Sequence, residues 1–186
     1  MSRVSLIDPA TATGVTADLL ARTKSTLGVI PNMAKALAHS PAALEGFLGM
    51  FAALKSGALG TGDQERIALA VAEANGCTYC LSAHSQVARN AAKLSDEEIL
   101  AARQGRSEDP KSAAVLRLVT AILFTRAHLD DTQFAAARQA GLSEEEIVEV
   151  IANVVRNIFT NYINEALAVD VEWPLVTPLT GSPIPA

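Results

Sequence analysis

Helix punctuation recurs at short intervals along this chain and leaves little room for a sheet. Three segments fit the capping-box pattern, in which a Ser or Thr side chain and an acidic or amide side chain three residues on bind each other's backbone. They are Thr61-Gly62-Asp63-Gln64, Ser95-Asp96-Glu97-Glu98 and Ser143-Glu144-Glu145-Glu146. Ser40-Pro41 and Asp109-Pro110 set an N-cap residue before a proline at the first helical position. Gly28, Gly105 and Gly141 stand where such helices would stop. The pattern predicts helices over about 18–27, 32–39, 41–58, 61–74 and 77–90. Further helices are predicted from 96 towards Gly105, from 110 through Leu123, over 132–140 and from 144 through 168. Strand-like alternation is essentially absent. From about residue 172 the prolines predict an extended tail.

Composition agrees with an all-α fold. Hydrophobic residues make up 49% of the 186 residues but aromatics only 4%, and alanine dominates the apolar set. Such a chain suits closely packed helices better than a sheet. Its length suits one compact helical domain spanning 1–186. Gly60-Thr61-Gly62-Asp63-Gln64-Glu65-Arg66-Ile67-Ala68-Leu69 and Gly141-Leu142-Ser143-Glu144-Glu145-Glu146-Ile147-Val148-Glu149-Val150 echo each other. Two accounts fit the echo equally: an internal helical duplication, or convergence on good N-caps.

The net charge of −5, with no cluster of Lys and Arg, argues against nucleic acid as a partner. No stretch of about 18 residues is free of charge, so no membrane span is expected. The N-terminal residues lack the profile of a secretory signal, which predicts a cytoplasmic location where thiols stay reduced. The two cysteines, Cys77 and Cys80, are too close together to staple a secreted fold.

The chemistry concentrates around these cysteines. On a helix Cys77, Cys80 and His84 fall on one face, with His84 one turn beyond Cys80. Gly76 frees the turn before Cys77, so the pair should sit in the first helical turns, where unpaired N–H groups favour a thiolate. His84 can hold or remove the Cys80 proton. A thiolate so activated attacks a peroxide or a disulfide, and its neighbour resolves the product as an intramolecular disulfide. Glu65 lies twelve positions before Cys77, too far along a straight helix. The Asn75-Gly76 break could fold that helix back and bring the carboxylate to the sulfurs. On the residues alone, a proton-relay carboxylate and a capping or solvated one stand about level.

Rival readings attach to the same residues. The cysteines could be small buried hydrophobes. With His84 they offer three soft ligands, one fewer than a structural zinc site normally uses. Tyr79 reads as a pocket wall or hydroxyl donor. The series Asn153, Asn157, Asn161 and Asn164 reads as satisfying backbone or ligand groups, and Phe47, Phe51, Phe124 and Phe159 as core.

The pattern Glu65, twelve residues, then Cys77-x-x-Cys80-x-x-x-His84 resembles the alkylhydroperoxidase D-like family of the carboxymuconolactone decarboxylase superfamily. The context Ala-Asn-Gly-Cys-Thr-Tyr-Cys-Leu-Ser-Ala-His is similar to its peroxidase-related branch, with the specific match over about residues 60–90. The resemblance implies an all-α fold, assembly into homo-oligomers and no bound cofactor or metal. It also implies reduction of hydroperoxides by Cys80, resolution by Cys77, a proton relay through Glu65 and His84, and an external thiol electron donor. A thiol–disulfide oxidoreductase or redox sensor with little peroxidase activity is the alternative. Tyr79 stands where the best-known alkylhydroperoxidase D pattern has histidine, and the decarboxylase branch lacks the cysteine pair.

Overall fold

The cap residues act largely where the sequence places them. In the computed structural model, which describes residues 1–179, nine helices form and no strand does among the described residues. They are α1 (Gly14–Leu27), α2 (Asn32–Leu37), α3 (Pro41–Lys55), α4 (Thr61–Ala74), α5 (Thr78–Asn90), α6 (Asp96–Arg103), α7 (Pro110–Thr125), α8 (Asp131–Gln139) and α9 (Glu144–Leu167). The Ser95–Glu98 and Ser143–Glu146 boxes close, and Asp130 with Gln133 closes a further one at the start of α8.

The box expected at Thr61 does not form. Gly60 takes the N-cap position and Thr61 lies inside α4. The Gln64 amide, which would have completed the box, donates instead to the carbonyls of Leu54 at 3.0 Å and Leu59 at 2.7 Å. The 56–60 turn is held from outside as well. The Glu149 carboxylate of α9 accepts from the backbone N–H of Ala58 and Leu59 at 2.8 and 2.9 Å. A Cβ at Gly57 would overlap that carboxylate, so the close approach requires glycine.

Every residue of α4 from Gln64 to Ala74 is buried, as a helix apolar over most of its girth should be. It packs against α5, α6, α7 and α9. Most of its apolar side chains join a core with α6, α7 and α9, including Ile67, Val71, Val115, Val119, Val150 and Val154. Ala72 reaches a second cluster, built from α1–α3 around Leu20, Leu44 and Leu48, which contains Cys77, Tyr79 and Cys80. The cysteines thus sit where the N-terminal helices meet the central one.

The echoed segments diverge after their starts. α4 breaks after 14 residues, whereas α9 runs on for 24 with a full capping box and no cysteine. Phe124 and Phe159, expected in the core, are 50% and 38% exposed. Val148, Val155, Phe159 and Tyr162 leave an exposed apolar stripe along α9. No helix of the described residues is long and apolar enough to cross a membrane.

Beyond α9 the described residues, up to 179, have no regular structure and bind back over the cysteine region. Glu172 accepts from Tyr79 Oη at 2.8 Å and from Asn32 N–H at 2.8 Å. Val176 N–H donates to Ser82 Oγ at 2.9 Å, and Leu179 N–H to the Glu73 carboxylate at 2.6 Å. Residues 172–179 of the expected tail therefore form a strap; residues 180–186 lie outside those described.

Candidate active site

One residue ends α4 and begins α5. Gly76 adopts φ +64°, its N–H donates to Glu73 O at 3.1 Å, and Cys77 N–H donates to Ala72 O at 2.9 Å. This is a Schellman closure, and only a residue tolerant of left-handed φ serves at its centre. Cys77 is then the N-cap of α5, its Sγ accepting from Cys80 N–H at 3.4 Å. The break also ties to α9, through Asn75 Nδ2 donating to Asn161 Oδ1 at 2.9 Å.

Both thiols are free and buried, Cys80 with 3% exposure. They are not equivalent. Cys80 is shifted below the usual thiol value. The hydrogen bond from Cys77 favours its thiolate most; burial opposes it, and the charge of His84 and the Asn164 amide assist. Asn164 Nδ2 of α9 donates to Cys80 Sγ at 3.2 Å. Cys77 is driven far upward, first by that same hydrogen bond to Cys80 and then by burial. The two titrate as a pair, and the hydrogen bond between them favours the thiolate at Cys80 and the thiol at Cys77. A thiolate is thereby stabilised at the second cysteine although the first caps the helix.

The fold brings Glu65 to His84, and only through it towards the sulfurs. His84 Nδ1–H donates to Glu65 Oε2 at 2.8 Å, which leaves Nε2 for proton exchange. Burial works against the imidazolium, but the charge and hydrogen bond of Glu65, with help from Cys80, raise His84 above its ordinary value of 6.5. Cys80, His84 and Glu65 form a graded series of charge in a half-buried cleft, while Cys77 stands behind Cys80. Among the described residues no group of three or more His, Cys, Asp or Glu side chains is placed to hold a metal ion.

This cleft opens into a cavity of about 300 Å³ that Cys80, His84 and Glu65 all line. Phe47 and Phe51 form part of its wall, so two of the expected core aromatics face the site. Tyr79 also lines it, with its hydroxyl turned to the strap and accepting from Met33 N–H at 3.2 Å.

Three residues that sequence reasoning did not assign to the site join it here: Asn164 as a thiol partner, Trp173 of the strap, and Arg156 of α9. Asn164 belonged to a noted series, but which member meets sulfur depends on how α9 crosses α5. Arg156 carried a legible signal, the lone cation between Val154-Val155 and Ile158-Phe159.

Residues 41–123 match the sequence model of the Carboxymuconolactone decarboxylase family, a span that includes Glu65, Cys77, Cys80 and His84. No curated protein matches the chain. Several solved structures share the fold. One is the alkylhydroperoxidase AhpD core of a peroxidase-related protein from Ralstonia eutropha JMP134, with TM-score 0.79, 23% identity and 92% of each chain covered. Another is a peroxidase-related protein from Silicibacter sp. TM1040, with TM-score 0.74, 22% identity and 91% of each chain covered. A third is a cysteine-to-alanine variant of the debrominase Bmp8 in complex with 2,3,4-tribromopyrrole, with TM-score 0.72 and 23% identity over 92% of this chain and 94% of that one.

Proposed function

We propose that this chain, whose residues 41–123 match the Carboxymuconolactone decarboxylase family and whose fold is shared with an alkylhydroperoxidase AhpD core, is a peroxidase that reduces hydroperoxides with its Cys77–Cys80 pair. The observation that carries the reading is the unequal pair: a Cys80 thiolate favoured by Cys77, His84 and Asn164 at the wall of a half-open cavity. The 3% exposure of Cys80 favours a small oxidant entering the cavity over a folded protein's disulfide.

In this scheme the Cys80 thiolate attacks the terminal oxygen of the hydroperoxide. An S–O bond forms, the O–O bond breaks, sulfur gives up two electrons, and the leaving alkoxide takes a proton from His84 to depart as the alcohol. Glu65 holds Nδ1 and stabilises the charged ring before transfer. The Cys77 thiol then attacks the Cys80 sulfenic sulfur, forming S–S, and its proton leaves with the hydroxyl as water. An external dithiol returns two electrons and two protons to the pair. That donor has to present its sulfur through the same cavity.

Intact-mass analysis after one equivalent of a small organic hydroperoxide tests the scheme. The expected product has lost two hydrogens and has no thiol open to a blocking reagent. A stable oxygen adduct on the wild-type chain, with Cys77 still alkylatable, would sink resolution by Cys77.

Homo-oligomer formation belongs to the same reading, supported by the exposed stripe of Val148, Val155, Phe159 and Tyr162. Burying a contiguous apolar patch is the common reason for self-association. Light scattering coupled to gel filtration should give a multiple of 19.5 kDa; the mass of one chain would refute it.

A further inference from the structure

The mechanism proposed above leaves one buried charge unused. Arg156 is 5% exposed, lines the cavity and forms no ion pair among the described residues. Its Nη1 is buried without any hydrogen-bond partner. The guanidinium lies over the Phe51 ring, 5.3 Å from its centroid. Stacking of this kind covers a face of the group and leaves its edge, where the N–H donors point, unsatisfied. Glu65, the acidic group that shares the cavity, attracts the Arg156 charge but forms no hydrogen bond to it, and its Oε2 is engaged by His84. A buried cation whose donors lack a hydrogen-bonded anion is costly, and a ligand anion would satisfy them.

The rest of the lining says what else that anion carries. Leu27, Val29, Met33, Phe47, Phe51 and Trp173 make most of the wall apolar. The volume of about 300 Å³ lies at the small end of ligand sites. A guanidinium edge matches a carboxylate in shape as well as charge, because two parallel N–H donors meet two oxygens.

We propose that the cavity binds a medium-chain organic acid, with its carboxylate on Arg156 and its apolar body along Phe47, Phe51 and Trp173. This deepens the peroxidase reading and rests on it for one point only, that the reacting group of the substrate is a hydroperoxide. The preferred substrate is then an organic hydroperoxide bearing a carboxylate, and hydrogen peroxide is a poor one. Arg156 is a specificity-determining residue; it takes no part in the electron or proton transfers.

Binding measured without turnover separates the two claims. Trp173 is the only tryptophan of the chain and lines the cavity, so its fluorescence in the reduced protein reports occupancy. The probes are octanoate and 1-octanol, which share a chain and differ in the charged head. Octanoate should bind at least about ten-fold more tightly than octanol, the scale of one well-placed charged hydrogen-bonding group. Arg156→Met should erase that preference while octanol binding changes less than about two-fold, and Arg156→Lys, which keeps charge but loses the fork, should fall between. Equal affinities for the two probes in the wild type, or an undiminished octanoate preference in Arg156→Met, overturns the proposal. If Arg156→Met fails to fold, the wild-type comparison and Arg156→Lys still decide. Loss of peroxidase activity with the octanoate preference intact would refute the chemistry and leave this site standing.

Discussion

Cys80→Ser is expected to lose hydroperoxide turnover, measured with dithiothreitol as donor, by at least about 10³-fold, the scale on which removal of a covalent nucleophile acts. Cys77→Ser should still react once, because Cys80 remains, and should then stall as a sulfenic acid that dimedone captures. His84→Ala should cost roughly 10²–10⁴-fold, the usual contribution of a positioned acid–base group. Glu65→Gln should cost less, since the ring stays in place and loses only the charge that holds its proton. The pH profile follows from the two shifts. In the proposed scheme Cys80 acts as thiolate, and it lies below the ordinary thiol value, so activity falls as pH drops through that lowered value. His84 acts in its protonated form and lies above 6.5, so activity falls again as pH rises through the raised value. The limbs belong to the coupled pair rather than to either residue alone. Alkylation of Cys80 by iodoacetamide should follow the acid limb, and Cys77→Ala should move its midpoint upward, because Cys77 supplies the largest stabilisation of the thiolate. Full turnover by Cys80→Ser would remove this cysteine from the chemistry.

Glu73→Ala should be the most destabilising single change outside the cavity. The Glu73 side chain is wholly buried and accepts from Arg103 Nε at 2.7 Å and from Leu179 N–H at 2.6 Å. Arg103 Nη2 in turn donates to Thr177 O at 2.7 Å. Removing the carboxylate strands a buried guanidinium and frees the strap, a loss of about 3–5 kcal/mol. For a chain of this length each kcal/mol moves Tm by about 2–4 °C, which gives a fall of roughly 6–20 °C. Glu73→Leu combined with Arg103→Met should recover much of it, since a packed apolar pair has no charge to desolvate. Calorimetry on both variants checks the pair. A Tm within about 2 °C of wild type for Glu73→Ala would mean the ion pair contributes nothing to the folded state.

What could be read from the sequence was whatever acts over a few residues. Ser95, Ser143 and Asp109 cap helices because their side chains bind backbone only two or three positions away. Gly76 breaks the α4–α5 run because the closure there needs positive φ. The facing of Cys77, Cys80 and His84 is helix periodicity. Glu65 marks the edge of that range: its spacing allowed a return to the site, but its contact with imidazole rather than sulfur depends on how α4 packs on α5. Asn164 reaches Cys80 across 84 positions and Glu172 reaches Tyr79 across 93, distances at which no local rule operates. The Thr61 box failed because carbonyls of the preceding turn compete for Gln64. Phe124 and Phe159 misled because hydrophobic character says nothing about which face of a helix meets solvent.

The strap gives the order of synthesis a meaning for the chemistry. All nine helices, and with them Cys80, His84 and Glu65, precede residues 172–179 along the chain. A nascent polypeptide that has emerged only through α9 carries the complete thiol centre but lacks Trp173, the hydrogen bonds from Glu172 to Tyr79 and from Val176 to Ser82, and the tie to Glu73. Its cavity is open on that side until the following residues arrive. The Cys80 sulfur and its helices are therefore synthesised before the residues that cover that side of its cavity.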